Sequence, residues 1–519
     1  MKSVLLALLI ILTIVTVQAG SIDKNKYPKS SRRIVSINGN SQVQADSIPP
    51  DETGMRNITS LELSREMVPG WNVGNSLEAI GGETAWGNPL ITQELMDSVS
   101  AAGFKSVRIP VAWSNAMNVN TFEIDPSLLT RVEEVVNYVL NSGMYAMINI
   151  HWDGGWMQPT YAKQAYVNSR LAALWEQIAV YFRDYNDHLI FAGTNEVMVD
   201  GDYGTPTKEY YTVQNSYNQT FVTTVRSTGG CNAYRHLAVQ GFNTNINYTI
   251  SYFTMPYDVV ANRLFVEVHY YDPYDFTINS SSSLIQWGKA ADNISQTQTW
   301  ANEPYADAQF QKMKTKFIDN GHGVLLGEYC AMARLNLGND ALNALHAKNR
   351  KYYIEYITYS LIKHGLVPMY WDAGFTGDKG SGLFYRNSGT QAYTEIIKSI
   401  MNVVDTTIFP LDVEMSNPVM PTMFSLSQNY PNPFNPTTTI QYSLPVESHV
   451  QLVVFDILGR QVAITVNGVK NAGFHSVIFD GAHLASGFYF ASCIVKPTAK
   501  ILDMVKESDI ETIKMLLTK

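Results

Sequence analysis

The chain has 519 residues, too many for one ordinary domain and enough for an α/β barrel plus a smaller module. With 45% hydrophobic, 16% charged and 12% aromatic residues, it can bury a large core and still have aromatic surface to spare. A formal net charge of −9, with no basic stripe, excludes nucleic acid as a partner.

In chain order, Met1-Lys2, the apolar run from Val4 to Val17, and Val17-Gln18-Ala19 form the charged, apolar and small-residue parts of a secretory signal over residues 1–19. Cleavage is expected after Ala19. The run is short for a membrane span, and no later segment approaches the roughly 18 consecutive apolar residues that a span needs. Residues 20–55, rich in Ser, Asn, Asp and Lys, read as a leader without sustained period, with order beginning near Ile58.

From 56 to 404, short β-rich runs alternate with segments of helical period. The runs are Gly70 to Leu77, Ser106 to Trp113, Tyr145 to Trp152, Leu189 to Val197, His236 to Phe242, Leu264 to Tyr271, Val324 to Cys330 and Leu366 to Asp372. Eight strands spaced by helices predict a closed (β/α)₈ TIM barrel. The clearest helix starts at Asp125-Pro126, carries Leu128, Leu129, Val132, Val135, Val136, Val139 and Leu140 at spacings of three and four, and stops at Gly143. Another, roughly Asn343 to Lys363, precedes the eighth strand. Their apolar stripes are barrel packing rather than site.

Residues 405–424 are a linker, in a proline-punctuated stretch that includes Pro410, Pro418 and Pro421 and runs on to Pro431, Pro433 and Pro436. Beyond it, over 425–519, the runs Thr438 to Leu444, Val450 to Leu458, Gln461 to Val466, His475 to Asp480 and Gly487 to Val495 predict a small all-β, immunoglobulin-like sandwich. Cys231, Cys330 and Cys493 are scattered and odd in number, so they form neither a disulfide framework nor a zinc motif.

A parallel barrel carries its active site at the carboxyl ends of its strands. Those ends supply Asn72, Asn75, Arg108, His151, Trp152, Asn195, Glu196, His269, Tyr271, Glu328, Trp371 and Asp372. Each alone reads as a satisfied buried polar group; together they converge on one face. Hydrolysis of a glycosidic bond needs one carboxyl to protonate the leaving oxygen and a second to attack the anomeric carbon or activate water. Glu196 and Glu328, on the fourth and seventh runs, meet that need.

The segments Gly-Trp-Asn-Val-Gly-Asn-Ser-Leu-Glu at 70–78, Gly-Phe-Lys-Ser-Val-Arg-Ile-Pro-Val at 103–111, Ile-Asn-Ile-His-Trp at 148–152, Thr-Asn-Glu-Val at 194–197, Val-His-Tyr-Tyr at 268–271 and Leu-Gly-Glu-Tyr at 326–329 carry a family likeness. The chain resembles glycoside hydrolase family 5, the cellulase family. The resemblance implies that Glu196 is the acid/base and Glu328 the nucleophile, with Asn195 donating to the sugar 2-hydroxyl. It also implies that Arg108 and Tyr271 hold the nucleophile, that His151 and His269 bond sugar hydroxyls or orient the carboxylates, and that Trp371 stacks on the sugar. Trp113, Trp152, Trp156 and Phe375 either extend that platform or pack the barrel rim. Glu267, two residues below His269, reads as a buried structural carboxyl.

Arg108 and Tyr271 are expected to favour ionised Glu328, and an acid at Glu196 to retain its proton. No metal or other cofactor is expected. Val197 stands where the family usually has proline, which implies a less firmly fixed acid. The implied activity is endo-acting, retaining hydrolysis of β-1,4-glucan by a monomer. Mannan, xylan and xyloglucan are alternatives within the same chemistry, and a non-catalytic glycan-binding surface protein is an alternative outside it.

In the tail, Asn429-Tyr430-Pro431-Asn432-Pro433-Phe434-Asn435-Pro436, Val454-Phe455-Asp456-Ile457-Leu458-Gly459-Arg460 and Ala485-Ser486-Gly487-Phe488-Tyr489 resemble a type IX secretion sorting domain. That implies type IX secretion machinery as partner, and a product secreted from, or attached to the outer surface of, a Gram-negative cell. The competing reading is a carbohydrate-binding sandwich, for which no row of exposed aromatics is evident.

Overall fold

The computed structural model describes residues 48–407, 409, 423–429, 432–498 and 509–519. The expected signal at 1–19, the leader up to residue 47 and most of the linker lie outside the described residues. The chain divides into two compact units, Met1–Val413 and Glu414–Lys519.

The first unit is an eight-stranded closed parallel barrel. Its strands are β1 (Gly70–Val73), β2 (Ser106–Ile109), β3 (Tyr145–Asn149), β4 (Leu189–Ala192), β5 (Leu237–Asn245), β6 (Leu264–His269), β7 (Gly323–Tyr329) and β8 (Leu366–Asp372), and β8 closes on β1 through Met369↔Gly70. Strand alternation divides the side chains into two layers. Ala146, Ile148, Leu189, Phe191, Val266, Val268, Val324 and Leu326 face the surrounding helices. Met147, Ile190, Ala192, Ala238, Phe265, Leu325 and Val367 form a separate apolar cluster, filling the barrel's lower interior with Leu63 of helix Ser60–Glu66. Further along the strands the same inward parity brings Arg108, Gln240 and Glu267, all fully buried, to the level below the site.

The helix Pro126–Asn141 forms as its pattern requires. Asp125 accepts from the Ser127 N–H at 2.7 Å, Pro126 occupies the first turn, and Leu129, Val132, Val135, Val136, Val139 and Leu140 are buried. Gly143, at φ 77°, ends it. The helix before β8 begins earlier than its period suggested, at Asp340, because the Asn339 side chain caps the N–H of Leu342 at 2.9 Å.

Two sequence expectations change. Order does not begin at Ile58: Ile48–Pro50 pairs in parallel with Gly229–Gly230, and the Thr59–Glu62 capping box starts the helix at Ser60. Several barrel strands are also shorter than their apolar runs. β4 stops at Ala192, and Gly193 to Val197 continue as an irregular segment held by side chains.

The second unit is an antiparallel sandwich. One sheet joins β9 (Ser425–Leu426), β10 (Thr437–Leu444) and β13 (Gly473–Asp480); the other has the order β12 (Gln461–Lys470), β11 (Ser448–Asp456), β14 (Gly487–Pro497), β15 (Asp509–Leu517). Ile440 and Leu444 of one sheet share a core with Leu452, Cys493 and Leu517 of the other. All three cysteines are free and buried.

Candidate active site

Arg108 organises the floor of the site. Rising from β2 and wholly buried, it sets Nε 2.8 Å from Glu267 Oε1, donates from Nη1 to Glu328 Oε1 at 2.8 Å and to Asn72 Oδ1 at 3.2 Å, and donates from Nη2 to Asn195 Oδ1 at 2.6 Å. The bond to Oδ1 orients the Asn195 amide so that its Nδ2 faces His151 Nε2, 3.4 Å away, as a donor at the cleft. Glycine at 327 is required by this floor, because a Cβ there would overlap the Glu267 carboxylate.

Glu328 ends β7 and is satisfied on both oxygens: Arg108 donates to Oε1, and the Tyr271 hydroxyl donates to Oε2 at 2.9 Å. Glu196 is held differently. Among the described residues its one side-chain partner is the His269 ring, Nδ1 to Oε1 at 2.7 Å, and the side chain is 42% exposed. The nearest oxygens of the two glutamates and the His269 nitrogen all lie within 4.8 Å of one another.

His269 stands among three carboxyls, with Nδ1 3.6 Å from Glu328 Oε2 and Nε2 3.5 Å from Glu267 Oε1. Burial pushes its pKa down, but Glu328, Glu196 and Glu267 together outweigh that and raise it to about 9. The ring is therefore an imidazolium at neutral pH. Two glutamates and a histidine are residue types that can hold a metal ion, and an ion there would have to displace the proton that the three carboxyls hold on His269. Burial pushes Glu267 up, yet Arg108, His269 and Gln240 hold it at about 2, so it stays ionised.

Arg108 and Tyr271 act on Glu328 in the expected direction, each favouring the ionised carboxylate, but they do not outweigh its burial. Burial raises its pKa and the neighbouring Glu196 adds to that, while His269 and Arg108 pull it back only in part. Three carboxyls, Glu196, Glu267 and Glu328, face two cations, Arg108 and His269.

The other strand-end residues sort by their contacts. His151 stacks on Trp371, with centroids 5.8 Å apart and planes at 10°, and burial together with the charges of Arg108 and His269 holds its pKa well below normal, so it is neutral. Trp371 lines the cleft, and Trp152 is 53% exposed. Trp113 is fully buried, donating to the Asn149 carbonyl at 2.9 Å. Trp156 donates to Asp153 at 2.7 Å beneath Arg170; both are packing. Phe375 is exposed. Asn72 donates to the carbonyls of Gly327, Met369 and Tyr370, and Asp372 ties Trp71, Leu383 and Arg386, so both are structural. Asn75 takes a left-handed turn, and its N–H donates to Glu78.

Sequence reasoning passed over Gln240 and Asn243. Gln240 donates to Glu267 Oε2 at 2.6 Å and accepts from Thr194 N–H and Oγ1 at 3.1 and 3.0 Å. A lone polar residue at inward parity in an apolar strand was the available signal. Asn243 lies in a β5 bulge and has no signature in hydropathy. Val197 is buried, donates to the Asn195 carbonyl at 3.1 Å, and accepts from the Asn243 N–H at 3.0 Å. A cavity of about 530 Å³ opens from Glu196, Glu328, His269, Tyr271 and Trp371 toward Tyr203, Asn243–Asn247 and Gln309.

Residues 72–377 match the family model of cellulase, glycosyl hydrolase family 5, and residues 428–504 match that of the secretion system C-terminal sorting domain. A xyloglucan-specific endo-β-1,4-glucanase of Bacteroides ovatus is 45% identical over 370 residues, 68% of this chain and 72% of that protein. Endoglucanase A of Paenibacillus barcinonensis is 39% identical over 368 residues, 67% of this chain and 90% of that protein. Among solved structures, a family 5 xyloglucanase of Bacteroides ovatus in complex with a XXXG heptasaccharide superposes with a TM-score of 0.66 at 45% identity, covering 69% of this chain and 79% of that one.

Proposed function

The chain belongs to the cellulase family, glycosyl hydrolase family 5, and from that premise we propose that it is a retaining endo-β-1,4-glucanase with Glu328 as nucleophile and Glu196 as acid/base. The observation that carries the reading is the closeness of the two carboxylates, within 4.8 Å at their nearest oxygens. Retention needs carboxyl groups about 5–5.5 Å apart, whereas inversion needs about 6.5–9.5 Å to seat a water.

In the first step a Glu328 oxygen bonds to the anomeric carbon as the bond to the leaving oxygen breaks, and the Glu196 proton passes to that oxygen. In the second, water attacks the anomeric carbon, gives its proton to Glu196 and frees the Glu328 carboxylate. Arg108 and Tyr271 steady the charge returning to Glu328. Asn195 Nδ2 is a donor for the sugar 2-hydroxyl, and neutral His151 bonds a hydroxyl at neutral pH. Trp371 offers a flat apolar face to the pyranose, and the exposed Trp152 extends it.

A second substrate, xyloglucan, is favoured by one observation: the Bacteroides ovatus enzyme, 45% identical, is named as xyloglucan-specific. We assign residues 56–404 to catalysis, 405–424 to the linker and 425–519 to the sorting domain. The sorting domain supports export by type IX machinery from a Gram-negative cell, with the product secreted or held on the outer surface. Reducing-sugar release on carboxymethyl-cellulose, mixed-linkage β-glucan, xyloglucan, mannan and xylan, with Glu196→Gln and Glu328→Gln alongside, tests both chemistry and substrate. Release on a glucan that both substitutions abolish supports the reading. Binding without release on any of the five would make the protein a glycan-binding one.

A further inference from the structure

We propose that Asn243 is a positioning residue for the acid: its backbone, turned into the left-handed region, hooks the chain directly after Glu196 and takes the part that a proline at 197 would otherwise play. The inference rests on the reading of Glu196 as acid/base. Along most of its length β5 pairs regularly with β6, but the register jumps from Gln240↔Glu267 to Asn245↔His269, so Gly241 to Thr244 stand opposite Val268 alone. Two successive residues of this bulge, Asn243 at φ 51° and Thr244 at φ 46°, are left-handed without being glycine. The left-handed region is disfavoured for residues other than glycine, and for β-branched threonine it is an outlier, so the pair persists only where the surroundings hold it.

The bulge aims the Asn243 N–H at the Val197 carbonyl, 3.0 Å away. On the other side of the acid, Gln240 of the same strand accepts from both the N–H and the hydroxyl of Thr194. β5 thus grips the segment 194–197 on both flanks of Glu196. Between them, Val197 donates to the Asn195 carbonyl at 3.1 Å, a bond that proline, lacking an N–H, cannot make. This grip matters because the Glu196 side chain is half-exposed and, among the described residues, has His269 as its one side-chain partner. Its aim at the leaving oxygen therefore comes from its backbone.

The test separates aim from general damage by the leaving group. From a dinitrophenyl β-cellobioside the dinitrophenolate leaves without a proton, whereas the phenolate of a phenyl β-cellobioside needs one, so only the second substrate reports on the acid in kcat/KM. Asn243→Val, β-branched and poorly suited to the left-handed region, is expected to lower kcat/KM on the phenyl substrate by about tenfold or more and to change the dinitrophenyl substrate by less than about twofold. Asn243→Gly, which keeps the turn freely, is expected to stay within about threefold of wild type on both. Asn243→Ala, with a smaller backbone penalty, should show the same split at reduced size in a protein with an unchanged melting profile. Equal losses on both substrates, or none on either, would overturn the proposal. Glu196→Ala is the independent control: it should show the largest split, with azide restoring turnover of the dinitrophenyl substrate. A Glu196→Ala enzyme without that split would defeat the acid assignment itself, and the hook with it; a split there with none in the Asn243 variants would defeat the hook alone.

Discussion

Raising the pH through about 9 should discharge His269 and loosen the barrel. The ring is raised from its ordinary 6.5 to about 9 by Glu328, Glu196 and Glu267 against the opposing effect of burial, which corresponds to about 3 kcal/mol of differential interaction. A group whose folded pKa lies above its unfolded one contributes stability that is complete below about pH 6.5 and lost as pH rises through about 9. At roughly 2 cal/mol/K of unfolding entropy per residue, about 3 kcal/mol is a fall of about 4 °C in Tm for a barrel of this size. Thermal melts of wild type and His269→Gln at half-unit steps from pH 6 to 10 read it directly. The wild type should lose those degrees over that window, and the variant, less stable at pH 6, should lack that part of the slope, so that the two curves converge above pH 9. Parallel curves across the window would refute the imidazolium and the charge count built on it.

Arg108→Lys keeps a charge but loses the fork that holds Glu328, Asn195 and Glu267 together, so kcat should fall by about a hundredfold or more in steady-state kinetics. Gly327→Ala drives a methyl into the Glu267 carboxylate and should destabilise the barrel by about 1–3 kcal/mol in denaturant melts. Trp371→Ala should raise KM for soluble β-glucan and lower kcat, while Trp152→Ala, at the exposed rim, should act on KM alone and less strongly. Removing residues 425–519 should leave the hydrolase inside the cell envelope, as fractionation of the producing cells would reveal.

The barrel was legible because strand alternation and helical period are local. Val107, Ile148 and Phe191 face the helices at the parity their runs imply, and the strand-end rule then gathered Arg108, Asn195, Glu196, His269, Tyr271 and Glu328 around one cavity. What escaped depends on contacts between distant parts of the chain or on backbone angles. Ile48–Pro50 finds its partner at Gly229–Gly230, a pairing no local pattern announces. Asp509–Leu517 became a strand only by lying against Gly487–Pro497. The β5 bulge rests on left-handed Asn243 and Thr244, which leave no trace in hydropathy. The two donors to Glu328 were legible in sequence, while the burial that opposes them was not.

The central claim, a covalent double displacement on Glu328, is tested most directly by incubating the protein with an activated 2-deoxy-2-fluoro-β-cellobioside and mapping the labelled peptide by mass spectrometry. Fluorine slows both steps, and a good leaving group lets the first outrun the second, so the intermediate accumulates. The account expects one fluorocellobiosyl group per chain, carried on Glu328 and absent from Glu328→Gln. Label on another residue, or continued turnover with no label at all, would contradict it.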